Sequence, residues 1–208
     1  MTNSLYRIPP VKSEKSKCII MLHGVWSNEA DLFALEANFP EEYSVFSLRW
    51  PFDLGGGRYA WFPVDFSTGA PVYRSADVER GYECITTYIR EVTEQYGISP
   101  EQIYLMGFSQ GAIMSYYTLW RSPELIGGII ALSGRLLSEI DVSGIEQTQY
   151  TTKRVFIGHG TEDRVMPVAA SELTSGFVRD IGLEPTVRYY PIGHTISQAE
   201  MADIVEWL

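Results

Sequence analysis

Short apolar runs alternate along the chain with longer stretches of helical period. The runs are 18–23 (CIIMLH), 43–50 (YSVFSLRW), 102–108 (QIYLMGF), 127–133 (GGIIALS), 154–159 (RVFIGH) and 186–191 (TVRYYP). A run that stays apolar instead of alternating is the mark of a strand buried on both faces, so the pattern predicts parallel strands joined by helices. Between the second and third runs, Val78, Tyr82, Ile85, Ile89, Val92 and Tyr96 recur every three or four residues, one face of a helix over 75–96. Ser75 is placed to cap that helix, Asp77 and Glu79 suit its positive end, and Gly97 suits its stop. A second helix is expected over 110–120. A third is marked by Ala169, Ala170, Leu173, Phe177 and Ile181 and closed by Gly182, with Gly176 weakening it by about 1 kcal/mol. The last opens on SQAE, where Ser197 and Glu200 form a capping box. Segments 51–74 and 134–152 follow neither period. The first carries Trp61, Phe62, Phe66 and Tyr73, aromatics that argue against disorder.

At 208 residues and 45% apolar composition, the chain suits one α/β domain spanning 1–208, with a mostly parallel central sheet flanked by helices. The formal net charge of -10 repels phosphate backbones and anionic bilayers, which disfavours nucleic acid as a partner. No segment approaches the length of an apolar membrane span, and residues 1–17 lack the pattern of an export signal, so stable membrane insertion is not expected and a cytoplasmic location is. Cys18 and Cys84 read as reduced core residues, not as a disulfide framework or metal cluster. A homodimer stays open.

The sequence MGFSQG places Ser109 between Gly107 and Gly111, after an apolar run and before a helical stretch. A tight strand-to-helix junction forces its central residue into a strained conformation and crowds its neighbours, which explains glycine on both sides. This is the G-x-S-x-G nucleophile elbow, which exposes a serine at the carboxyl edge of a sheet. A serine needs a base, and of three histidines only His194, in PIGHTIS, lies between the last strand and the last helix. His23 and His159 end earlier strands. Asp163, in HGTEDRVMP, is placed to accept the other imidazole N–H and stabilise the imidazolium, with Glu162 as the neighbouring alternative. The N–H groups of Gln110 and Val25 are candidate oxyanion donors, Gln110 through its backbone and not its side chain. The three glycines at 55–57 lack the Lys-Ser/Thr of a phosphate loop and read as loop flexibility.

These residues resemble the phospholipase/carboxylesterase group of α/β-hydrolases, through LHG, WF, GFSQG, LSG, HGTEDRVMP and GHTI in order. The resemblance implies a minimal α/β-hydrolase without a large cap. It implies Ser109 as nucleophile, Asp163 as orienter, His194 as base, and Val25 and Gln110 as oxyanion donors, with no metal or cofactor. The implied acyl pocket involves Trp26, Trp61, Phe62, Val165 and Met166. Trp26 stands where the family commonly has glycine, and pocket wall and core are both open to it. Trp61 and Phe62 are expected as pocket walls. The implied activity is hydrolysis of short- to medium-chain carboxylic esters, small-molecule or lipid, through an acyl-enzyme. Acyl-protein thioesterase, lysophospholipase and a catalytically silent binding protein are the alternatives.

Overall fold

The computed structural model describes residues 4–9, 16–49, 51–67, 69–143 and 145–208. In chain order its first elements are β1 (Ser4–Arg7), β2 (Cys18–Leu22), α1 (Glu29–Phe33), β3 (Ser44–Leu48), β4 (Phe52–Asp53), β5 (Tyr59–Ala60) and α2 (Ser75–Tyr96). There follow β6 (Ile103–Phe108), α3 (Gln110–Arg121), β7 (Gly128–Leu132), β8 (Arg154–Gly160), α4 (Ala169–Asp180), β9 (Thr186–Tyr190) and α5 (Gln198–Trp207). Seven strands form one sheet in the order β1-β3-β2-β6-β7-β8-β9, and β4 with β5 forms a separate hairpin.

All six apolar runs become strands of the large sheet, paired in parallel. Trp50, the last residue of the second run, lies outside the described residues, as does much of the amino-terminal stretch. The strand that the periodicity does not reveal is β1, four residues paired antiparallel to β3 with only partial burial. It has no apolar run because it caps an edge.

Alternate residues of each central strand enter different cores. Ile20, Leu22, Leu105, Ile129 and Ile157 pack on one face with α2, α3 and α4. Ile19, Met21, Met106, Ile130 and Phe156 pack on the other with Leu32 of α1 and Met201 and Ile204 of α5. The continuous apolar character of the runs is therefore the record of helices on both sides. Among the described residues no helix is long and apolar enough to cross a membrane.

Three local expectations differ from the structure. Ser75 does not cap α2: it is the first helical residue and donates to Glu139, while Arg74 occupies the cap and its guanidinium pairs with Asp77 at 2.8 Å. Leu173 points outward, 73% exposed. The buried face of α4 is instead Ser171, Thr174, Ser175 and Val178, an i, i+3, i+4, i+7 stripe with Phe177 beside it. Ser171 and Thr174 donate to the carbonyls of Val168 and Ser171, which lets small polar residues face the core. Cys18 is fully buried, whereas Cys84 is only half-buried.

The capping box forms as the SQAE sequence predicts: Glu200 N–H donates to Ser197 Oγ at 3.1 Å, and Ser197 N–H to Glu200 Oε2 at 3.4 Å. It draws a carboxyl into the core, where Glu200 is 2% exposed and faces Gly158 so closely that a side chain there would collide with it. Burial pushes the Glu200 carboxyl up to about 7, opposed by the Ser197 N–H and reinforced by Asp203. Below the unfolded value both states are protonated and Glu200 is neutral to stability. As pH rises from there through the folded value, only the folded state keeps the proton, and stability falls by about 3 kcal/mol in all. Glu200→Gln should remove this dependence. Urea unfolding should find the variant more stable than the parent near about pH 8, with the gap closing near about pH 4.

Candidate active site

The serine elbow is built by close contact between backbones. Ser109 has φ 54° and ψ -113°, outside the regions that ordinary residues favour. Its N–H donates to Leu132 O at 2.9 Å and its carbonyl accepts from Ile113 N–H at 3.1 Å, so neighbouring strand and following helix hold the turn. A Cβ on Gly107 would overlap the Gly111 carbonyl, and one on Gly111 would overlap the Leu22 carbonyl of the adjacent strand. Both glycines are thus required by contact.

His194 links the elbow to Asp163. Ser109 Oγ lies 3.0 Å from His194 Nε2, within hydrogen-bond reach, and His194 Nδ1–H donates to Asp163 Oδ2 at 2.7 Å. Phe108 packs against the imidazole with ring centroids 4.8 Å apart. The other oxygen of Asp163 accepts N–H bonds from Val165 at 2.9 Å and Met166 at 2.8 Å. Burial opposes ionisation of Asp163, yet the Met166 N–H, the His194 imidazole and the Val165 N–H outweigh it and hold the carboxyl below its usual range. Asp163 is 7% exposed, whereas Glu162 is exposed and its N–H donates to Ile192 O. The alternative carboxylate therefore faces solvent.

The other two histidines are committed elsewhere. His23 Nδ1–H donates to Gly24 O at 2.8 Å, and burial lowers the affinity of the ring for a second proton. His159 Nε2–H donates to Met166 O at 2.7 Å, steadying the loop that carries Asp163.

The loop after β2 passes directly beside the elbow. A Cβ on Gly24 would sit 3.5 Å from Ser109 Cβ, and the next residue, Val25, has no acceptor for its N–H among the described residues. Gln110 opens α3, so its N–H is one of the first four helix donors that lack an intrahelical acceptor. Two donors and a positive helix end thus border Ser109.

The Gln110 side chain is not idle, as the sequence reading had it. Its Oε1 accepts from Trp61 N–H at 2.8 Å and its Nε2 donates to Phe62 O at 2.7 Å, while Trp61 Nε1 donates to His23 O at 2.8 Å. The elbow, the end of β2 and segment 61–62 are tied by this clamp. Trp61 and Phe62 have no exposed surface, so they are core anchors behind the site and not pocket walls. Only their unbroken apolar character in an irregular segment signals this.

Trp26 is neither core nor closed pocket wall: it is 54% exposed, with φ 68°. Val165 is 69% exposed and Met166 half-buried, and both act on Asp163 through their N–H groups. The glycines at 55–57 form an ordered turn with φ between 64° and 83°, closed by Leu54 N–H donating to Arg58 O at 2.8 Å; left-handed geometry, not flexibility, selects them. Gly160 was not recognisable from sequence: any side chain there would strike the Ile192 and Gly193 carbonyls, so it lets the His194 loop close on the Asp163 loop.

A profile of the Phospholipase/Carboxylesterase family matches residues 3–208. The chain belongs to that family. Within this phospholipase/carboxylesterase family, it is 30% identical over 214 residues to Acyl-protein thioesterase 1 of Kluyveromyces lactis, covering 95% of this chain and 93% of the relative. It is 29% identical over 160 residues to Carboxylesterase SOBER1 of Arabidopsis thaliana, covering 74% and 68%. Among solved structures, esterase PE8 superposes with a TM-score of 0.81 at 29% identity, covering 99% of this chain and 96% of that one. The Bacillus cereus carboxylesterase shares the fold, with a TM-score of 0.82 at 21% identity over 98% and 92%. The α/β-hydrolase architecture and membership of a family of carboxylic ester hydrolases follow.

Removing the clamp should loosen the site. Gln110→Ala leaves the Trp61 N–H and Phe62 carbonyl buried without partners, at about 1–3 kcal/mol each. A urea unfolding curve should show a loss of about 2–4 kcal/mol; an unchanged midpoint would mean that water replaces the amide.

Proposed function

We propose that the chain is a serine carboxylesterase working through an acyl-enzyme, with Ser109 as nucleophile, His194 as base and Asp163 as orienting carboxylate. The observation that carries the reading is the continuous hydrogen-bonded chain from Ser109 Oγ through His194 to Asp163. His194 takes the hydroxyl proton as Ser109 Oγ attacks the ester carbonyl, and Asp163 stabilises the resulting imidazolium. The N–H groups of Val25 and Gln110 receive the oxyanion, aided by the amino-terminal end of α3. His194 then gives its proton to the departing alkoxide. In the second half, water loses a proton to His194, attacks the acyl group and releases the acid, restoring the Ser109 hydroxyl. Every proton in this cycle is carried by residues of the chain and by water, and one domain suffices.

Short to medium acyl chains are the proposed substrates, because the Trp26 indole stands beside the oxyanion loop. Thioester hydrolysis is the second reading, favoured by the relative named Acyl-protein thioesterase 1. The same acyl-enzyme serves both.

Covalent labelling by a fluorophosphonate tests the nucleophile. The parent protein should be labelled and Ser109→Ala should not, with ester turnover falling by about 10³-fold or more. An inert, unlabelled parent would falsify the enzyme reading. Across para-nitrophenyl esters, kcat/KM should peak at short or medium chains, and a maximum among long-chain esters would overturn that preference.

A further inference from the structure

Two side chains beside the oxyanion loop are left unused by the mechanism. Trp26 directly follows Val25 and holds a left-handed backbone, φ 68°, that bulky residues avoid. Its indole is more exposed than buried, so packing against the core does not account for its presence. Its N–H donates to Tyr59 O at 2.9 Å, and Tyr59 N–H donates back to Ser27 O at 2.8 Å, which fastens the β4–β5 hairpin to the oxyanion loop.

Arg58 sits on that hairpin, aimed by the ordered glycine turn. Its guanidinium carbon lies 5.8 Å from the centre of the Trp26 indole ring. The residue is exposed, and no carboxylate lies within ion-pairing distance of it among the described residues. The nearest acidic groups along the chain are engaged otherwise: Asp53 accepts from Gly55 N–H and Asp65 from Ser67 N–H. Near Trp26, Asp31 accepts from the Ser27 hydroxyl and Glu29 pairs with Arg49. An arginine held by an aromatic face, with its planar edge uncommitted, is suited to bind a carboxylate. On a chain of net charge -10, such a cation acts locally, within the roughly 8 Å over which charges are felt at physiological salt.

The geometry points to the Trp26–Arg58 pair as the specificity element of the site, selecting esters whose acyl part ends in a carboxylate. The indole supports the methylene chain and the guanidinium receives the terminal charge. Val25 joins this pair to the reaction centre, since it lies between Trp26 and Gly24, where a Cβ would sit 3.5 Å from Ser109 Cβ. This selectivity rests on the reading of Ser109 as the nucleophile of an esterase.

The test compares para-nitrophenyl valerate with the mono-para-nitrophenyl ester of glutaric acid, whose acyl chains match in length. In Arg58→Gln the ratio of kcat/KM, charged ester over neutral, should fall about tenfold from that of the parent, mostly through KM. Turnover of the valerate should stay within about twofold, and Arg58→Lys should recover part of the ratio. Added salt should lower the ratio in the parent and leave that of Arg58→Gln nearly flat. An equal ratio in parent and Arg58→Gln, or an equal loss on both esters, would overturn the assignment. If the parent fails to hydrolyse the valerate and resists fluorophosphonate, the esterase reading itself has failed.

Discussion

Everything at this site depends on how closely two backbones approach where β6 turns into α3. The first turn of α3 lies against the Leu22 carbonyl of β2 with no side chain between them, because residue 111 is glycine. That proximity brings the loop after β2 to the side of Ser109, and it turns the free N–H groups of a helix end toward the place where charge would develop. A single methyl group at 107 or 111 would push helix and strand apart. The strained serine, the paired donors and the approach of Gly24 are consequences of one steric allowance.

The same economy recurs across the site. Gly160 lets the His194 loop settle on the loop of Asp163, where Glu162 N–H donates to Ile192 O and Thr161 N–H to Tyr190 O. Backbone hydrogen bonds therefore fix the distance between His194 and Asp163, and the side chains need only complete it. Gln110 does the corresponding work on the other flank, with both ends of its amide engaged by the 61–62 backbone. A buried amide engaged at both ends makes such a region stiff.

Periodicity and motif order disclosed the parts governed by local rules. The six parallel strands, helix 75–96, the Ser197 capping box and the proximity of Ser109, Asp163 and His194 all follow from apolar runs, capping chemistry and chain order. What stayed hidden is set by contacts between distant segments. β1 is legible only from its pairing with β3, and the outward turn of Leu173 only from hydroxyls that find partners on their own helix. Trp61 and Phe62 looked like walls because aromatic residues in a loop suit a pocket as well as a core. Nothing local reveals that an amide 48 or 49 positions away holds their backbone inward. The glycines at 55–57 show the converse: a composition that suggests looseness encodes a turn of defined hand.

The two helical layers approach the hydrogen-bonded chain of Ser109, His194 and Asp163 from opposite sides of the sheet. Ser109 immediately precedes α3, which packs in one core, whereas His194 precedes α5, whose Met201 and Ile204 pack in the other. The 3.0 Å contact between them thus spans two cores that share only the strands dividing them. A slip of either layer, even one too small to unfold it, changes that one distance first. That hydrogen bond is in effect a caliper across the sheet, reporting whether both halves of the protein are seated.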